Sequence, residues 1–117
     1  MTNQRDQPSL DELAARLAAF ARERDWDQFH APKNLAMALA GEVGELLEHF
    51  QWLSEQQSTS LPADVKDAVA LEMADVLLYL VRLADKLDID LNAAAVRKIG
   101  LNAVKYPVDQ FRGSSRK

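Results

Sequence analysis

The chain has 117 residues, is 48% hydrophobic, and contains four Gly, four Pro and no Cys, with a formal net charge of −4 at pH 7. That length and apolar content fit one domain around one core and exclude a disordered chain. The missing Cys excludes disulfides, zinc–thiolate sites and thiol catalysis, and the acidic balance leaves no basic footprint for nucleic acid.

The first eight residues, Met-Thr-Asn-Gln-Arg-Asp-Gln-Pro, contain no apolar h-region, so no secretory signal is expected. No 18-residue apolar run free of charge is present to span a membrane. The expectation is a soluble, cytoplasmic protein with a flexible N-terminus over 1–8, a helical domain over 9–108 and a flexible tail over 109–117.

Ser9-Leu-Asp-Glu12 predicts a capping box at the start of the first helix. Leu10, Leu13, Ala14, Leu17 and Ala21 then keep helical spacing to about Arg24. The segment 25–30, Asp-Trp-Asp-Gln-Phe-His, is too short for an element of its own. Its aromatics, Trp26 and Phe29, either plug the end of the core or wall a base-stacking pocket.

Pro32 suits the first turn of a second helix, expected to run to about Leu53. Leu35, Leu39, Val43, Leu46, Phe50 and Leu53 form its apolar face. A second strip holds Asn34, Ala38, Glu42, Glu45, His49 and Trp52. Between Leu35 and Leu47 the only ionisable side chains are Glu42 and Glu45. Gly41 and Gly44 flank them at a cost of about 1 kcal/mol each in helix propensity, which suggests close approach of another backbone or a ligand. His49 is expected to partner a nearby carboxylate rather than act as ligand or base.

Residues 54–60 are polar and predict a mobile, uncapped loop. Pro62 opens a third helix, continuing to about Leu87. From Leu71 to Ala84 its only polar side chains are Glu72, Asp75, Tyr79 and Arg82. At about 100° per residue these four fall within roughly one quarter of the circumference, and the rest is apolar. Asp90 is placed to cap a fourth helix from Leu91 to about Val104. Lys98, Asn102 and Lys105 share one face of it, suited to phosphate or simply to water. Tyr106-Pro107 ends it, and 113–117 reads as a frayed tail.

Four helices with short connections imply an all-α four-helix bundle. The second and third are too apolar for a single bundle to bury completely, which predicts a homo-oligomer, dimer or tetramer. The two E-x-x-E/D pairs, Glu42/Glu45 and Glu72/Asp75, each project from one side of an apolar helix. Such carboxylates repel one another and lose hydration, so they take up protons or recruit cations. Mg²⁺, a hard ion that favours carboxylate oxygens and meets phosphates, is the expected guest. The plainer alternative is buried carboxylates paired with Arg82, Lys98 or Lys105. With no nucleophilic Ser, Cys or Thr beside the acids, the chemistry expected is metal-assisted hydrolysis of a phosphorylated small molecule by water.

Gly-Glu-Val-Gly-Glu-Leu at 41–46 followed by Leu-Glu-Met-Ala-Asp at 71–75 resembles the MazG-like, all-α nucleoside triphosphate pyrophosphohydrolases. Their motif is E-E-x-x-E, a spacer, then E-E-x-x-D. The first acid of each doublet is replaced here by Gly41 and Leu71. Phe20-Ala-x-Glu-Arg-Asp-Trp26-x-Gln-Phe-His30-x-Pro-Lys-Asn34-Leu, Phe50-Gln-Trp52 and Lys98-x-x-x-Asn102-x-x-Lys105-Tyr106-Pro107 look like the dCTP pyrophosphatase branch.

The resemblance implies Mg²⁺-dependent hydrolysis of a deoxynucleoside triphosphate, dCTP or base-modified dCTP, to monophosphate and pyrophosphate, in nucleotide-pool sanitation. Mn²⁺ would be the substitute ion. Glu42, Glu45, Glu72 and Asp75 would be the catalytic metal ligands. Trp26, His30 and Trp52 would line the base and sugar pocket, with Tyr79 at its border, and Asn34 would also bind substrate. Lys98, Asn102, Lys105 and Tyr106 would hold phosphates or sugar. Alternatives are a broad-specificity or dUTP-directed pyrophosphatase, or a non-catalytic helical oligomerisation or regulatory module. A di-iron carboxylate bundle would need Glu-x-x-His pairs, and the residues three before His30 and His49 are Asp27 and Leu46.

Overall fold

In the computed structural model, which describes residues 7–115, helix α1 (Leu10–Glu23) starts where Ser9 Oγ accepts from the Glu12 amide at 3.2 Å. Asp11 and Glu12 in its first turn and Arg22 in its last complement the helix dipole. It stops in a Schellman motif: the amide of Trp26 donates to Ala21 O and that of Asp25 to Arg22 O. Asp25 occupies the left-handed position, φ 55°, which Asp tolerates better than most non-glycine residues. That sharp reversal throws Trp26 and a single 3₁₀ turn, Asp27–Phe29, back across the end of α1. The segment expected to lack an element therefore contains one.

Helix α2 (Pro32–Glu48) has Pro at its first turn and ends five residues before the expected Leu53. Residues 49–53 continue as turns, such as Leu53 N–H to Phe50 O. The reason follows in the chain. Ser54 and Gln57 form a reciprocal capping box for a short helix, α3 (Glu55–Ser58), so residue 54 must be extended. The polar stretch expected as an uncapped loop is thus a capped helical turn.

Helix α4 (Ala63–Lys86) is the longest, at 24 residues or about 36 Å. It closes as α1 does, with Asp88 at φ 56° and the Ile89 amide on Ala84 O. Asp90 Oδ1 then caps α5 (Leu91–Lys105) by accepting from the Ala93 amide, as expected. Beyond Pro107 a single turn, α6 (Val108–Phe111), sets the Phe111 ring edge-on to Tyr106 at 5.1 Å. Most of it, 109–111, falls in the expected flexible tail, while the expected frayed positions 116–117 and flexible positions 1–6 lie outside the described residues.

The chain is all-α, with no strand among the described residues. Helix α4 is its spine: α2 packs against it most extensively, and α1 also packs against it. The buried apolar core, Ala21, Leu35, Val69, Val81 and Ala84, lies between those three helices. The fourth long helix stands apart. No residue of α5 is buried, and Val96, Ile99 and Val104 are each 70% exposed or more. A radius of gyration of 17.5 Å, against about 13 Å for a compact chain of this length, records the same openness. No helix among the described residues is long and apolar enough to cross a membrane.

Candidate active site

Packing α2 against α4 brings the two acidic pairs together. A carboxylate oxygen from each of Glu42, Glu45 and Glu72 lies within 4.8 Å of the other two. Asp75, one turn on from Glu72, is close enough for its charge to act on both Glu42 and Glu72. It stands outside the three-oxygen group and borders a neighbouring cavity instead. Helical spacing alone put each pair on one face; the helix pairing makes one cluster of them.

The cluster crowds like groups together: Glu42 and Glu72 are half-buried and Glu45 is exposed. Glu42 Oε2 and Glu72 Oε2 are sealed from solvent and meet no hydrogen-bond donor among the described residues. Loss of hydration is the largest influence on Glu42 and, with a hydrogen bond to Glu45 and the charges of Glu45, Asp75 and Glu72, pushes its carboxyl up to about 7. Desolvation also leads in raising Glu72, followed by the charge of Glu45. In native proteins buried polar atoms are nearly always satisfied, so two orphaned oxygens mark a place shaped for a guest. An oxygen-only donor set fits a hard divalent cation.

The alternative pairing of these acids with cations is not what the fold adopts. Among the described residues no ion pair joins them to Arg82, Lys98 or Lys105. Arg82, 5% exposed, turns the other way. Its Nη2 donates to Asp27 Oδ1 at 2.6 Å, its Nη1 to Asp85 Oδ2 at 3.4 Å and its Nε to His30 Nδ1 at 3.2 Å. Lys86 Nζ adds a second cation to Asp27 at 3.1 Å, and together they hold that carboxyl below its ordinary range, with Lys86 the larger influence. Burial, then the charge of Arg82, depresses His30.

Between the cluster and this arginine lies a cavity of about 470 Å³. Leu13, Leu17 and Ala21 of α1, Leu35 of α2 and Leu78 of α4 give it apolar walls. Trp26, His30, Tyr79, Asp75, Arg16 and Arg82 contribute its polar and aromatic surface. The Trp26 ring is held edge-on to Phe20 at 5.8 Å, and Arg24 lies over the other ring of that pair at 3.5 Å from its centroid. A partly apolar cleft with a few convergent polar groups suits a small organic ligand with a flat ring.

Of the residues expected to bind substrate, Trp26, His30 and Tyr79 meet at this cavity. Asn34 does not line it; its Nδ2 donates to Phe29 O at 3.2 Å and pins the 3₁₀ turn onto α2. Trp52 is 86% exposed in the turn after α2. Lys98, Asn102, Lys105 and Tyr106 belong to α5 and its cap, away from the cavity wall. Lys105 Nζ sits 5.3 Å from the centre of the Tyr106 ring. His49 lines a separate open groove with Glu48, Ser54 and Gln57. Beyond its chain neighbours and the adjoining backbone of its own helix, a Cβ at Gly41 or Gly44 would meet no atom of the described residues within 4 Å, so the close approach expected there is not made among them. Sequence reasoning missed Asp27, Asp85 and Arg16. The available signal was Arg82 itself, since a lone Arg on an apolar helix needs a carboxylate partner when buried.

Residues 38–117, a stretch that includes all four acids, match the MazG-like family. The chain is 46% identical over 113 residues to dCTP pyrophosphatase 1 of Rattus norvegicus, covering 95% of this chain and 66% of that protein. With dCTP pyrophosphatase 1 of Homo sapiens the identity is 44% over the same coverage. The chain thus spans about two thirds (66%) of the length of these curated relatives. Among solved structures it is similar to a pyrophosphatase from Archaeoglobus fulgidus, with a TM-score of 0.80 and 38% identity over 92% of this chain and 98% of that one.

Proposed function

The chain belongs to the MazG-like family, and from that premise we propose that it is a Mg²⁺-dependent nucleoside triphosphate pyrophosphohydrolase acting on dCTP or a base-modified dCTP. The products are the monophosphate and pyrophosphate, and the role is sanitation of the nucleotide pool in the cytoplasm. The observation that carries this reading is the cluster of Glu42, Glu45 and Glu72, with two oxygens buried and unpartnered, beside an aromatic cavity of ring size. The names of the relatives, dCTP pyrophosphatase 1, support the substrate.

Glu42, Glu45, Glu72 and Asp75 would hold the cation. The ion supplies positive charge that offsets the phosphate oxygens and their developing negative charge. Asp75 touches on both cluster and cavity, so the triphosphate lies toward the acids and the base toward Trp26, His30 and Tyr79. Apolar walls strip water from the base, and the Trp26 face stacks on it. Water adds to the α-phosphorus as the bond to the bridging oxygen breaks, and pyrophosphate departs.

Trp52, Asn102, Lys98, Lys105 and Tyr106 keep their proposed contacts with substrate through a second copy of the chain. The exposed apolar side chains of α2, α4 and α5, such as Met37, Leu71, Met73 and Ile99, support a dimer or tetramer that covers them. Light scattering checks this, and a monomer at micromolar concentration would remove it.

The function is tested by a product assay on dCTP, 5-methyl-dCTP, dUTP, dTTP and dATP, with Mg²⁺, with Mn²⁺ and with EDTA. Monophosphate plus pyrophosphate, lost in EDTA and fastest for cytosine substrates, is the expected result. Equal or greater turnover of dUTP would leave a broad or dUTP-directed pyrophosphatase. No hydrolysis would leave a non-catalytic helical module.

A further inference from the structure

The cavity wall includes a histidine, His30, one of whose ring nitrogens is already committed to Arg82. An arginine Nε always carries a hydrogen and has no acceptor capacity, so in the 3.2 Å contact Nδ1 of His30 must accept. A neutral imidazole has one donor and one acceptor nitrogen, which puts the proton on Nε2. Nε2 has no partner among the described residues, is not sealed from solvent, and belongs to a side chain on the cavity wall. The guanidinium that imposes this is itself immobilised. It is buried, bonded to Asp27 on one side and Asp85 on the other, and Asp27 is anchored further by Lys86.

We infer that Arg82 is a positioning residue that locks His30 as its neutral Nε2–H tautomer, so that the cavity presents one fixed hydrogen-bond donor to an acceptor on the ligand's base. The acceptor is a carbonyl oxygen or an unprotonated ring nitrogen; an amino group at that point would meet a donor and be rejected. The identity of the ligand as a nucleotide rests on the function proposed above, but the lock itself does not. The charged groups around His30 favour the neutral ring. Arg82 and Lys86 oppose a proton there, while Asp27 favours one but is already occupied by both cations. Arg16 of α1 and Asp75 of α4 share the cavity wall.

Long-range ¹H–¹⁵N correlation spectra read the tautomer directly. The chain has only two His, so a His49→Gln sample assigns the signals. At pH 7.5 the wild-type His30 should show a protonated Nε2 and an unprotonated Nδ1. In Arg82→Lys, which keeps the charge but lacks the Nε donor, the two nitrogen shifts should converge toward a tautomer average. KM for dCTP with Mg²⁺ should rise on the order of tenfold with kcat changed much less, as for loss of one neutral hydrogen bond in binding. If that variant does not fold, Asp27→Asn loosens the same guanidinium and should move the shifts in the same direction by less. A wild-type His30 protonated at Nδ1 overturns the lock, as does a variant with raised KM but unchanged nitrogen shifts. A protein that hydrolyses no nucleotide yet shows the locked tautomer upholds the lock and overturns the function instead.

Discussion

Helix α4 holds two clusters of charge about ten residues apart, and they are built on opposite terms. Around Arg82 every strong group has a partner: Asp27 and Asp85 for its Nη atoms, His30 for its Nε, and Lys86 as a second cation on Asp27. Around Glu72 the charges are all negative, and two oxygens have no partner among the described residues. Low dielectric strengthens a satisfied network and penalises an unsatisfied one by the same physics. The first cluster is therefore satisfied as the chain folds, and the second, among the described residues, is not. A substitution that removes charge should accordingly act with opposite sign on stability in the two places.

The largest effect should come from Glu42→Gln. Turnover should fall at least about 10²-fold, the scale for losing one preorganised electrostatic group. Meanwhile the Tm of the metal-free protein at pH 8 should rise, because one of the mutually repelling carboxylates is gone. Assay and thermal melt on the same sample check both; a fall in Tm would mean that the cluster is already satisfied.

Arg82→Ala should do the reverse, lowering stability by about 2 kcal/mol in urea unfolding. The loss stays below that of a fully buried pair, because the side chains of Asp27 and Asp85 are 55% and 43% exposed and regain water. A neutral result would show that packing alone holds the 3₁₀ turn.

The clusters should also oppose each other in pH. Glu42 stands at about 7 in the fold against an ordinary 4.5, so the fold binds more protons between those values. Its stabilising contribution is full below 4.5 and is lost as pH rises through about 7. Mg²⁺ should therefore raise Tm more at pH 8 than at pH 5, and EDTA should abolish the difference. His30 is depressed below 6.5, so its contribution is full above 6.5 and is lost as pH falls through the lower folded value. Melting curves across pH, with Glu42→Gln flattening the alkaline limb, separate the two.

The smallest effect should be Asp27→Asn, below about 1 kcal/mol, since an exposed carboxylate in an ion pair contributes little. A larger loss would place more of the turn's stability in that pair than its exposure allows.

Much of this was legible in the chain. The four long helices, the Ser9 and Asp90 caps and the apolar faces are local and periodic, and the acid pairs stood out because nothing polar surrounds them. Errors arose where a short signal was overlooked or a partner lay far away in sequence. Ser54-x-x-Gln57 was a capping box concealed in a polar run, and it shortens α2 and creates α3. Asn34 had the right face for the site but a nearer acceptor in Phe29 O. Trp52 and the polar face of α5 carry the expected residue types, yet the chain alone does not fold them over the cavity.

By itself, then, the sequence determined the helices, the placement of Glu42 with Glu45 and of Glu72 with Asp75, and membership of the family, because each depends on spacing along the chain. Only the tertiary structure decided that these pairs form one cluster, that Arg82 serves Asp27 and His30 rather than the acids, and that α5 is left open. Charge interactions act over a few ångströms, and which groups come that close is settled by how the helices pack.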